Sequence, residues 1–348
     1  MTKTHSVALI GLGMAVAPHA KSLRDLERQG RVRVAGGWSP SAERRARFAE
    51  AFGLPTVDSL ERILDDKSID TVLLLTPPNA RSELLEKLAR ARKHVIMEKP
   101  IERTSAAAER LVRLCEAAGV RLGIVLQHRF RPAALKLREL LGAGALGDLS
   151  LVQLTVPWWR PQAYYDEPGR GTLARDGGGV LISQAIHSLD LMLSLAGPVI
   201  EVASIGGTSR LHRMETEDFV AAGLRFANGA LGGVIATTGF YPGSPEQLIL
   251  AGTKGTATLT GDALRVHYQS GHSESVESQG GTGGGADPMA FPHDAHLALI
   301  TEFLDALDAG REPAVPGRQV LGVHHLIDAL LLSSRRGQAM APGTEEMP

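Results

Sequence analysis

The first 125 residues alternate between short apolar runs and longer segments with apolar and charged residues at helical spacing. The runs at residues 7–10, 71–75 and 94–97 are almost wholly apolar, as expected for strands that are covered on both faces. The segments between such runs, for example residues 41–52 and 105–118, fit amphipathic helices. Alternation of strands and helices predicts an α/β fold with a doubly wound parallel sheet.

The second half of the chain follows another pattern, in which extended runs succeed one another across short turns. Residues 219–226 and 230–238 flank Asn228-Gly229, a dipeptide typical of tight hairpins. Strands joined in this way pair antiparallel. We therefore predict a dinucleotide-binding domain over residues 1–127 and an α+β domain with a mostly antiparallel sheet over residues 128–348.

Three segments complete the organisation of the second half. Residues 278–287 hold five glycines and predict a mobile loop. Two helical segments follow at residues 293–309 and 320–335, either within the second domain or packed back on the first. Residues 340–348 are expected to form a frayed tail.

Charge and composition exclude several classes of protein. The 37 Lys and Arg residues balance 38 Asp and Glu, which gives no electrostatic reason to bind nucleic acid or an anionic membrane. The single Cys115 excludes an intramolecular disulfide and a site built from several cysteines. The apolar run at residues 7–17 loosely resembles a secretory leader, but its glycines fit a strand and turn better. We expect a cytoplasmic protein with a small-molecule substrate.

A glycine-containing turn, residues 11–13, stands where the first predicted strand ends and the first helix begins. In a dinucleotide-binding turn, the first glycine allows the tight bend, the second lets the backbone approach a pyrophosphate, and the helix N-terminus supplies N–H groups. Val16 replaces the third glycine of that fingerprint, and an ordinary strand–helix turn is the alternative. The predicted cofactor-binding residues of this turn are Gly11, Leu12, Gly13, Met14 and Ala15.

The end of the second predicted strand bears on the choice between NAD and NADP. A carboxylate at this point binds the ribose 2′-hydroxyl of NAD, but residues 37–42 contain no carboxylate. Trp38 can stack on adenine, and Ser39 together with Arg44 or Arg45 can hold a 2′-phosphate. We therefore expect NADP or NAD as cofactor, with NADP favoured.

Three further motifs follow in order along the chain. Residues 76–79 (TPPN) end a buried strand, residues 98–100 (EKP) end the next strand, and residues 176–179 (DGGG) open a helical segment that reaches His187. With the C-terminal stretch at residues 296–317, they resemble the Gfo/Idh/MocA family, named for glucose-fructose oxidoreductase and inositol 2-dehydrogenase. The resemblance covers nearly the whole chain.

The resemblance implies a Rossmann domain followed by a second α/β domain on an open antiparallel sheet. It implies an NAD(P)-dependent enzyme that transfers hydride between nicotinamide and a secondary alcohol or ketone of a sugar, inositol or related cyclic polyol or acid. In this family the open sheet usually forms the subunit interface, so a homodimer or homotetramer is expected. The predicted contact face consists of Phe219, Val220, Ala222, Leu224, Phe226, Leu231 and Val234.

The same resemblance implies that Lys99 is the catalytic lysine and His187 the catalytic histidine. An ammonium group beside the substrate hydroxyl stabilises the developing alkoxide, and an imidazole that titrates near neutrality can take the alcohol proton. The alternatives are a surface lysine at a strand end and a helix histidine bonded to a backbone carbonyl. The implied cofactor contacts come from Thr76, Pro77, Asn79, Glu98, Lys99 and Gln127, with Glu98 near the nicotinamide ribose or carboxamide.

The chain departs from the best-known dehydrogenases of the family at Ser183. Those enzymes carry Asp at this position, one helical turn before the histidine. A serine can form hydrogen bonds but cannot hold the negative charge that stabilises an imidazolium. We therefore expect His187 to have no carboxylate partner from this turn. Asp190 is a candidate to hold the ring from the other side, and a salt bridge of Asp190 elsewhere is the alternative.

Aromatic residues are concentrated at positions 157–165, before the glycine run. Aromatic faces combined with arginine suit a sugar or aromatic ring, and an arginine can pair with a carboxylate or phosphate; a subunit-interface patch is the alternative. No metal is expected, because the adjacent His324 and His325 point to different helix faces. The predicted substrate-binding residues are Trp159, Arg160, Tyr164, Arg170 and Ser183.

Two other functions remain open at this point. A nicotinamide-dependent glycosidase of the same family would hydrolyse its substrate by transient oxidation, without a net change in NAD(P)H. A regulator that binds NAD(P) without turnover would have no need of an acid–base pair such as Lys99 and His187. A dehydrogenase or reductase acting on CH–OH groups is the function that the site chemistry favours.

Overall fold

The computed structural model describes residues 3–278 and 291–344. The chain divides into two compact units, each described here by itself. Unit 1 comprises Met1–Glu102, Ala106–Gln127 and His293–Val320, and unit 2 comprises Arg103–Ser105, His128–Pro292 and Leu321–Pro348. Most of the predicted glycine-rich loop, from residue 279 onward, and the end of the predicted tail lie outside the described residues.

Unit 1 is built on a five-stranded parallel sheet with the strand order β2-β1-β3-β4-β5. Strands β1, β3 and β5 are buried along their whole length, which explains their continuous apolar sequence. The predicted doubly wound parallel sheet is thereby confirmed. The strands are β1 (His5–Ile10), β2 (Val32–Trp38), β3 (Thr71–Leu74), β4 (His94–Glu98) and β5 (Leu122–Val125).

Capping residues mark the ends of some helices but not of all. The second helix is an example: the Ser41 side chain accepts a hydrogen bond from the Arg44 N–H, and the helix ends at Gly53 in the left-handed conformation. The helices of the chain are α1 (Val16–Arg28), α2 (Ala42–Phe52), α3 (Glu61–Asp65), α4 (Arg81–Arg90), α5 (Ser105–Ala117), α6 (Pro132–Gly142), α7 (Gln162–Tyr165), α8 (Ile186–Ala196), α9 (Asp294–Asp308) and α10 (Gly317–Arg336). None of those within the described residues has the length and apolarity needed to cross a bilayer.

Unit 2 is built on an eight-stranded sheet with the order β13-β12-β11-β10-β6-β9-β8-β7. All neighbours pair antiparallel except β6 and β9, which are parallel, so the predicted mostly antiparallel sheet is confirmed. The strands are β6 (Leu149–Pro157), β7 (Val199–Gly207), β8 (Phe219–Phe226), β9 (Leu231–Thr237), β10 (Gln247–Gly252), β11 (Gly255–Thr260), β12 (Ala263–Tyr268) and β13 (Ser273–Val276).

The two faces of this sheet correct the predicted contact face. Because strand side chains alternate, Val220, Leu224 and Phe226 are buried in the core of unit 2, as is Val234 on β9. The other face is apolar too, and Leu231 of the predicted set is exposed on it. Its exposed side chains include Leu151, Ile205, Leu231 and Ile235.

Candidate active site

The nucleotide turn joins β1 to α1 in a conformation that requires glycine at position 11. Gly11 has φ +98°, and a Cβ there would lie 2.9 Å from the backbone of Leu75 and Thr76. At Gly13 a Cβ would meet nothing within 4 Å, so the backbone borders open space. Helix α1 begins without a side-chain cap. The turn therefore fits a pyrophosphate, which would lie beside the N-terminus of α1.

The remaining residues of the turn differ in exposure. Leu12 is buried and its side chain packs beside Gly37, whereas Met14 is exposed and Ala15 half-buried. Any contact that Leu12 makes with a nucleotide therefore comes from its backbone. Within this turn, the Leu12 side chain therefore points into the protein, and the Met14 side chain points to solvent.

The end of β2 clarifies which groups face a ribose. A Cβ at Gly37 would lie 3.0 Å from Phe48 and 3.1 Å from Leu12, so this position faces packed side chains and is unsuited to a carboxylate. Arg45 donates to the Ser39 carbonyl at 2.5 Å. Ser39 is buried, and Arg44 is an exposed cation on the first turn of α2. Trp38 is half-buried at the end of the strand.

Predicted cofactor residues follow the carboxyl ends of adjacent strands. Thr76 follows β3, Lys99 follows β4 and Gln127 follows β5, and these strands are neighbours in the sheet. Within the described part of the chain, the buried atoms Thr76 Oγ1 and Gln127 Oε1 have no hydrogen-bond partner. Two unsatisfied polar atoms at the ligand-binding edge of a parallel sheet are the mark of a site for a polar ligand. Pro77 and Asn79 are exposed at the same edge.

A buried arginine that the sequence reasoning missed ties two of these strand ends together. The Arg81 guanidinium donates to the Thr76 carbonyl at 2.8 Å and to the Lys99 and Pro100 carbonyls. Burial lowers the pKa of Arg81 to about 10, against the charges of Glu98 and Glu102. A charged residue two positions after the TPPN motif was the available signal, but such residues are usually exposed.

Glu98 is bonded to protein groups on both carboxylate oxygens. Its Oε1 contacts His19 Nε2 at 2.8 Å, and its Oε2 accepts from the Lys99 N–H at 3.1 Å. Burial raises the pKa of Glu98, but the His19 hydrogen bond and the charges of His19, Lys99 and His296 outweigh it and hold the pKa at about 2. His19 was not predicted as a site residue. The position of Glu98 is thus set by α1 as well as by β4.

His19, Glu98 and His296 also form a group whose ligand atoms lie within 4.8 Å of one another. Two imidazoles and a carboxylate are a donor set that zinc uses. His19 and Glu98 already form a hydrogen bond with each other at 2.8 Å without a metal ion. The nearby cations Lys99 and Arg81 would repel a metal ion bound to this group. The predicted absence of a metal stays a prediction.

In unit 2, the glycine run is required by close backbone contacts. A Cβ at Gly179 would lie 1.8 Å from the Glu217 carbonyl oxygen, and one at Gly177 would lie 2.6 Å from Arg103. The Glu217 carboxylate accepts from the N–H groups of Gly179 and Leu181, both at 3.1 Å. A π-helical turn, Leu181–Ala185, follows and leads into α8. The turn contains Ser183, half-buried, and α8 places His187 in its first turn.

The surroundings of His187 correct one prediction. Asp190 does not hold the His187 ring: both of its oxygens are bonded by Arg129, from Nε at 2.6 Å and from Nη2 at 2.5 Å. The ring of His187 instead stacks on His128, with centroids 4.9 Å apart and planes 26° apart. His128 belongs to the short helix Gln127–Phe130 and is distant in sequence, so nothing in the pattern near His187 signalled the contact.

Three predicted substrate residues lie together in unit 2. The guanidinium carbon of Arg170 stands 4.7 Å from the ring centre of Tyr164, and that of Arg160 stands 5.8 Å from the same ring. Gln184 donates to the Tyr164 hydroxyl at 3.4 Å. Trp159 instead packs edge-on against Tyr241, with ring centres 5.5 Å apart. The cluster of Arg160, Tyr164, Arg170 and Gln184 is called the Tyr164 cluster below.

The comparisons with known proteins agree with this architecture. Residues 5–125 match the family model described as an oxidoreductase family with an NAD-binding Rossmann fold, and residues 134–258 match that of the GFO/IDH/MocA C-terminal domain. D-apiose dehydrogenase of Paraburkholderia graminis is 26% identical over 344 residues, which cover 96% of this chain and 88% of that protein. Inositol 2-dehydrogenase of Rhizobium meliloti is 25% identical over 341 residues, covering 93% and 95%.

A solved structure of a dehydrogenase is also similar to this chain over nearly its whole length. The WlbA dehydrogenase from Bordetella pertussis, in complex with NADH and UDP-GlcNAcA, superposes with a TM-score of 0.82 at 26% identity, covering 99% of this chain and 100% of that one. The two family models together span most of the sequence. The protein therefore belongs to the Gfo/Idh/MocA family of oxidoreductases, with an NAD-binding Rossmann domain at its N-terminus.

Proposed function

We propose that this protein is an NAD(P)-dependent dehydrogenase that transfers hydride between nicotinamide and a secondary alcohol or ketone of a sugar, inositol or related cyclic polyol or acid. The observation that supports this most strongly is the arrangement at the carboxyl edge of the parallel sheet. There the nucleotide turn, the unsatisfied Thr76 Oγ1 and Gln127 Oε1, and Lys99 follow neighbouring strands. Such an edge is where parallel α/β sheets bind their ligands.

The proposed chemistry divides between two side chains. A nicotinamide cofactor held by the nucleotide turn, Thr76 and Gln127 would supply the hydride acceptor for the substrate carbon. In the oxidative direction, neutral His187 accepts the hydroxyl proton, and the Lys99 ammonium stabilises the negative charge that develops on oxygen. In reverse, His187 returns the proton and Lys99 polarises the carbonyl. The oxidative rate should therefore rise with pH as the His187 imidazole loses its proton.

The proposed cofactor preference is for NADP over NAD. Arg44 supports it as an exposed cation on the first turn of α2, two residues after the start of a helix capped by Ser41. A 2′-phosphate gains both from that cation and from the helix N-terminus. The packed surroundings of Gly37 leave no room for the carboxylate that would favour NAD.

The proposed substrate carries a ring and an anionic group. Within the described residues, the buried atoms of the Tyr164 cluster without a hydrogen-bond partner include Arg170 Nε and Gln184 Oε1. A guanidinium pairs with a carboxylate, and an amide oxygen accepts from a hydroxyl. A sugar acid or a carboxylated cyclic polyol offers both groups.

We also propose that the protein assembles as a homodimer or homotetramer through the open face of the sheet in unit 2. Leu151, Ile205, Leu231 and Ile235 are all at least 41% exposed on this face. A contiguous apolar surface of this kind is typical of an interface. Sedimentation at micromolar concentration should give a multiple of the 37.0 kDa chain mass; the mass of a single chain would contradict assembly.

The experiment that tests the proposed reaction is a substrate panel with both cofactors. Cyclic polyols, sugars, sugar acids and dihydroxy-aromatic acids are followed by NAD(P)H absorbance, with product analysis in parallel. A net change in absorbance with at least one panel member supports the dehydrogenase. Hydrolysis of a glycoside without such a change would support a glycosidase instead. Cofactor binding with no turnover on the whole panel would contradict both.

A further inference from the structure

The environment of His187 contains a feature that compensates for the missing carboxylate at position 183. His128 stacks on His187, with ring centres 4.9 Å apart and planes 26° apart. Both side chains are buried, at 2% and 8% exposure. At this distance and angle, the face of one ring lies against the other, which is a favourable aromatic arrangement.

The hydrogen bonding of His128 fixes its protonation state. Arg131 Nη2 lies 2.7 Å from His128 Nε2. A guanidinium can only donate, so Nε2 must accept and carries no proton. The single ring proton therefore resides on Nδ1, and the ring is neutral. If Nε2 were also protonated, the N–H of a cationic His128 would point at the N–H of the Arg131 guanidinium, and the two would repel each other.

The same arrangement directs the His128 proton towards a negative charge. His128 Nδ1 lies 3.8 Å from Glu246 Oε1, and Arg131 donates to the same carboxylate oxygen at 2.6 Å. Glu246 is 7% exposed at its side chain, so its field is little screened by solvent. A carboxylate at the ring edge increases the electron density that His128 presents on its face.

Most of the other charged groups around this pair are in ion pairs. On the short helix Gln127–Phe130, Arg129 is paired with Asp190 of α8, and Arg131 at the start of α6 is paired with Glu246. Arg138 of α6 donates to the Arg129 carbonyl at 3.5 Å. Three arginines thus stand against two carboxylates, and these charges give a protonated His187 no net attraction.

We propose that His128 is a positioning residue for His187: its neutral ring, held by Arg131 and lying near Glu246, fixes the orientation of the His187 ring and stabilises the imidazolium form by stacking. This inference deepens the proposed function, because it gives His187 the means to accept a proton without the aspartate that Ser183 replaces. A cation over an aromatic face is stabilised in the same way.

The test is a pH titration of His187 by NMR in protein with isotope-labelled histidine. It needs no substrate, so it is decided separately from the proposed reaction. The His187 resonance is assigned from its loss in His187→Asn. Replacing His128 by Leu removes the ring, and we expect the pKa of His187 to fall by about one unit. Replacing His128 by Phe retains an aromatic face, and we expect at least half of that fall to be recovered.

A second measurement uses the unaltered protein, so it can decide the proposal even if the His128 variants do not fold. The ¹⁵N shifts of His128 report its tautomer directly, and we expect a proton on Nδ1 and none on Nε2. A proton on Nε2, or equal titration of His187 in the unaltered protein, His128→Leu and His128→Phe, would overturn the proposal. An equal fall in both variants would also overturn it, because the effect would then come from the side-chain polarity of His128 and not from its ring face.

If the titration supports the stacking proposal, the same variant also tests whether His187 is the proton acceptor of the proposed reaction. If the pKa of His187 shifts as expected in His128→Leu, the acidic limb of the oxidative pH–rate profile should shift by the same amount. A shifted pKa without a shifted rate profile would leave the stacking proposal intact. It would contradict the role of His187 as the proton acceptor.

Discussion

The two units build their candidate functional groups in different ways. In unit 1, the groups stand at strand ends and in turns, so a parallel sheet aligns them: Gly11 after β1, Thr76 after β3 and Lys99 after β4. In unit 2, the groups depend on side chains far apart in sequence: Arg129 bonds Asp190, and His128 stacks on His187. Backbone topology therefore aligns these groups of unit 1, whereas side-chain contacts set these pairs of unit 2.

This difference determines which kind of substitution disturbs the candidate functional groups of each unit. A backbone arrangement is disturbed by changes in steric demand, such as a Cβ at a position with positive φ. A set of buried side-chain pairs is disturbed by removing one charge, because the partner is left unpaired in a poorly solvated place.

The largest effect on stability is expected in unit 2, at the buried Arg129–Asp190 pair. Asp190→Asn keeps the shape of the side chain but leaves the Arg129 charge uncompensated, and it should lower the free energy of unfolding by about 3–5 kcal/mol. Urea denaturation measures the change. The control is Glu201→Gln, which breaks the exposed pair with Arg225 and should cost less than about 1 kcal/mol. Equal effects of the two substitutions would contradict the distinction.

The next effect is a pH dependence that arises in unit 1. The folded pKa of Glu98, about 2, lies below its ordinary value of 4.5, so the ionised carboxylate stabilises the fold above that ordinary value. The contribution is lost as the pH falls from about 4.5 towards 2.

Glu98→Gln should therefore destabilise the protein by about 3 kcal/mol near neutral pH, and the difference from the unaltered protein should shrink on acidification. Melting temperatures across this pH range measure it. Glu50→Gln, at an exposed position of α2, is the matched control and should leave the pH dependence unchanged. A difference that stays constant with pH would be inconsistent with the Glu98 hydrogen bonds.

A smaller effect separates the two glycines of the nucleotide turn. Gly11→Ala places a Cβ 2.9 Å from the Leu75 and Thr76 backbone at φ +98° and should destabilise the protein by about 1–3 kcal/mol. Gly13→Ala meets nothing within 4 Å, so stability should change by less than about 0.5 kcal/mol. Cofactor affinity should fall in both variants, since the methyl of Gly13→Ala occupies the space left for the pyrophosphate. Calorimetry with NADP provides the readout, and an unchanged affinity in Gly13→Ala would refute that assignment.

The smallest effect concerns the choice of cofactor. Arg44→Ala should reduce the preference for NADP over NAD by about tenfold, the equivalent of one charged hydrogen bond. Arg47→Ala, on the same helix and paired with Glu43, is the control and should leave the preference unaltered. A stronger affinity of the unaltered protein for NAD than for NADP would contradict the proposed role of Arg44 in binding the 2′-phosphate.

The sequence predicted unit 1 well because its signals are local. Apolar runs, glycine turns and strand-end motifs mark the carboxyl edge without any knowledge of the fold. Arg81 and His19 escaped notice, since nothing local distinguishes a buried charged residue on a helix from an exposed one. In unit 2 the alternation of β8 was overlooked, and Val220, Leu224 and Phe226 were placed on the open face although they fill the core.

The partners of His187 were beyond sequence reasoning for a related reason. Asp190 lies three residues after His187, which is the spacing of neighbours on a helix. Its carboxylate nevertheless bonds Arg129, which presents a fork of donors that no histidine can match. Only the fold brings the short helix Gln127–Phe130 against α8 and so reveals this competition.

The central claim is that Lys99 and His187 carry out hydride transfer chemistry with a bound nicotinamide cofactor. The most direct measurement is steady-state turnover on an active substrate for Lys99→Met and His187→Asn, with cofactor affinity measured on the same preparations. We predict a loss of about 10²–10³ in turnover for Lys99→Met and of about 10²–10⁴ for His187→Asn, and we expect His187→Asn to bind cofactor as the unaltered protein does. Turnover close to that of the unaltered protein in both variants would contradict it.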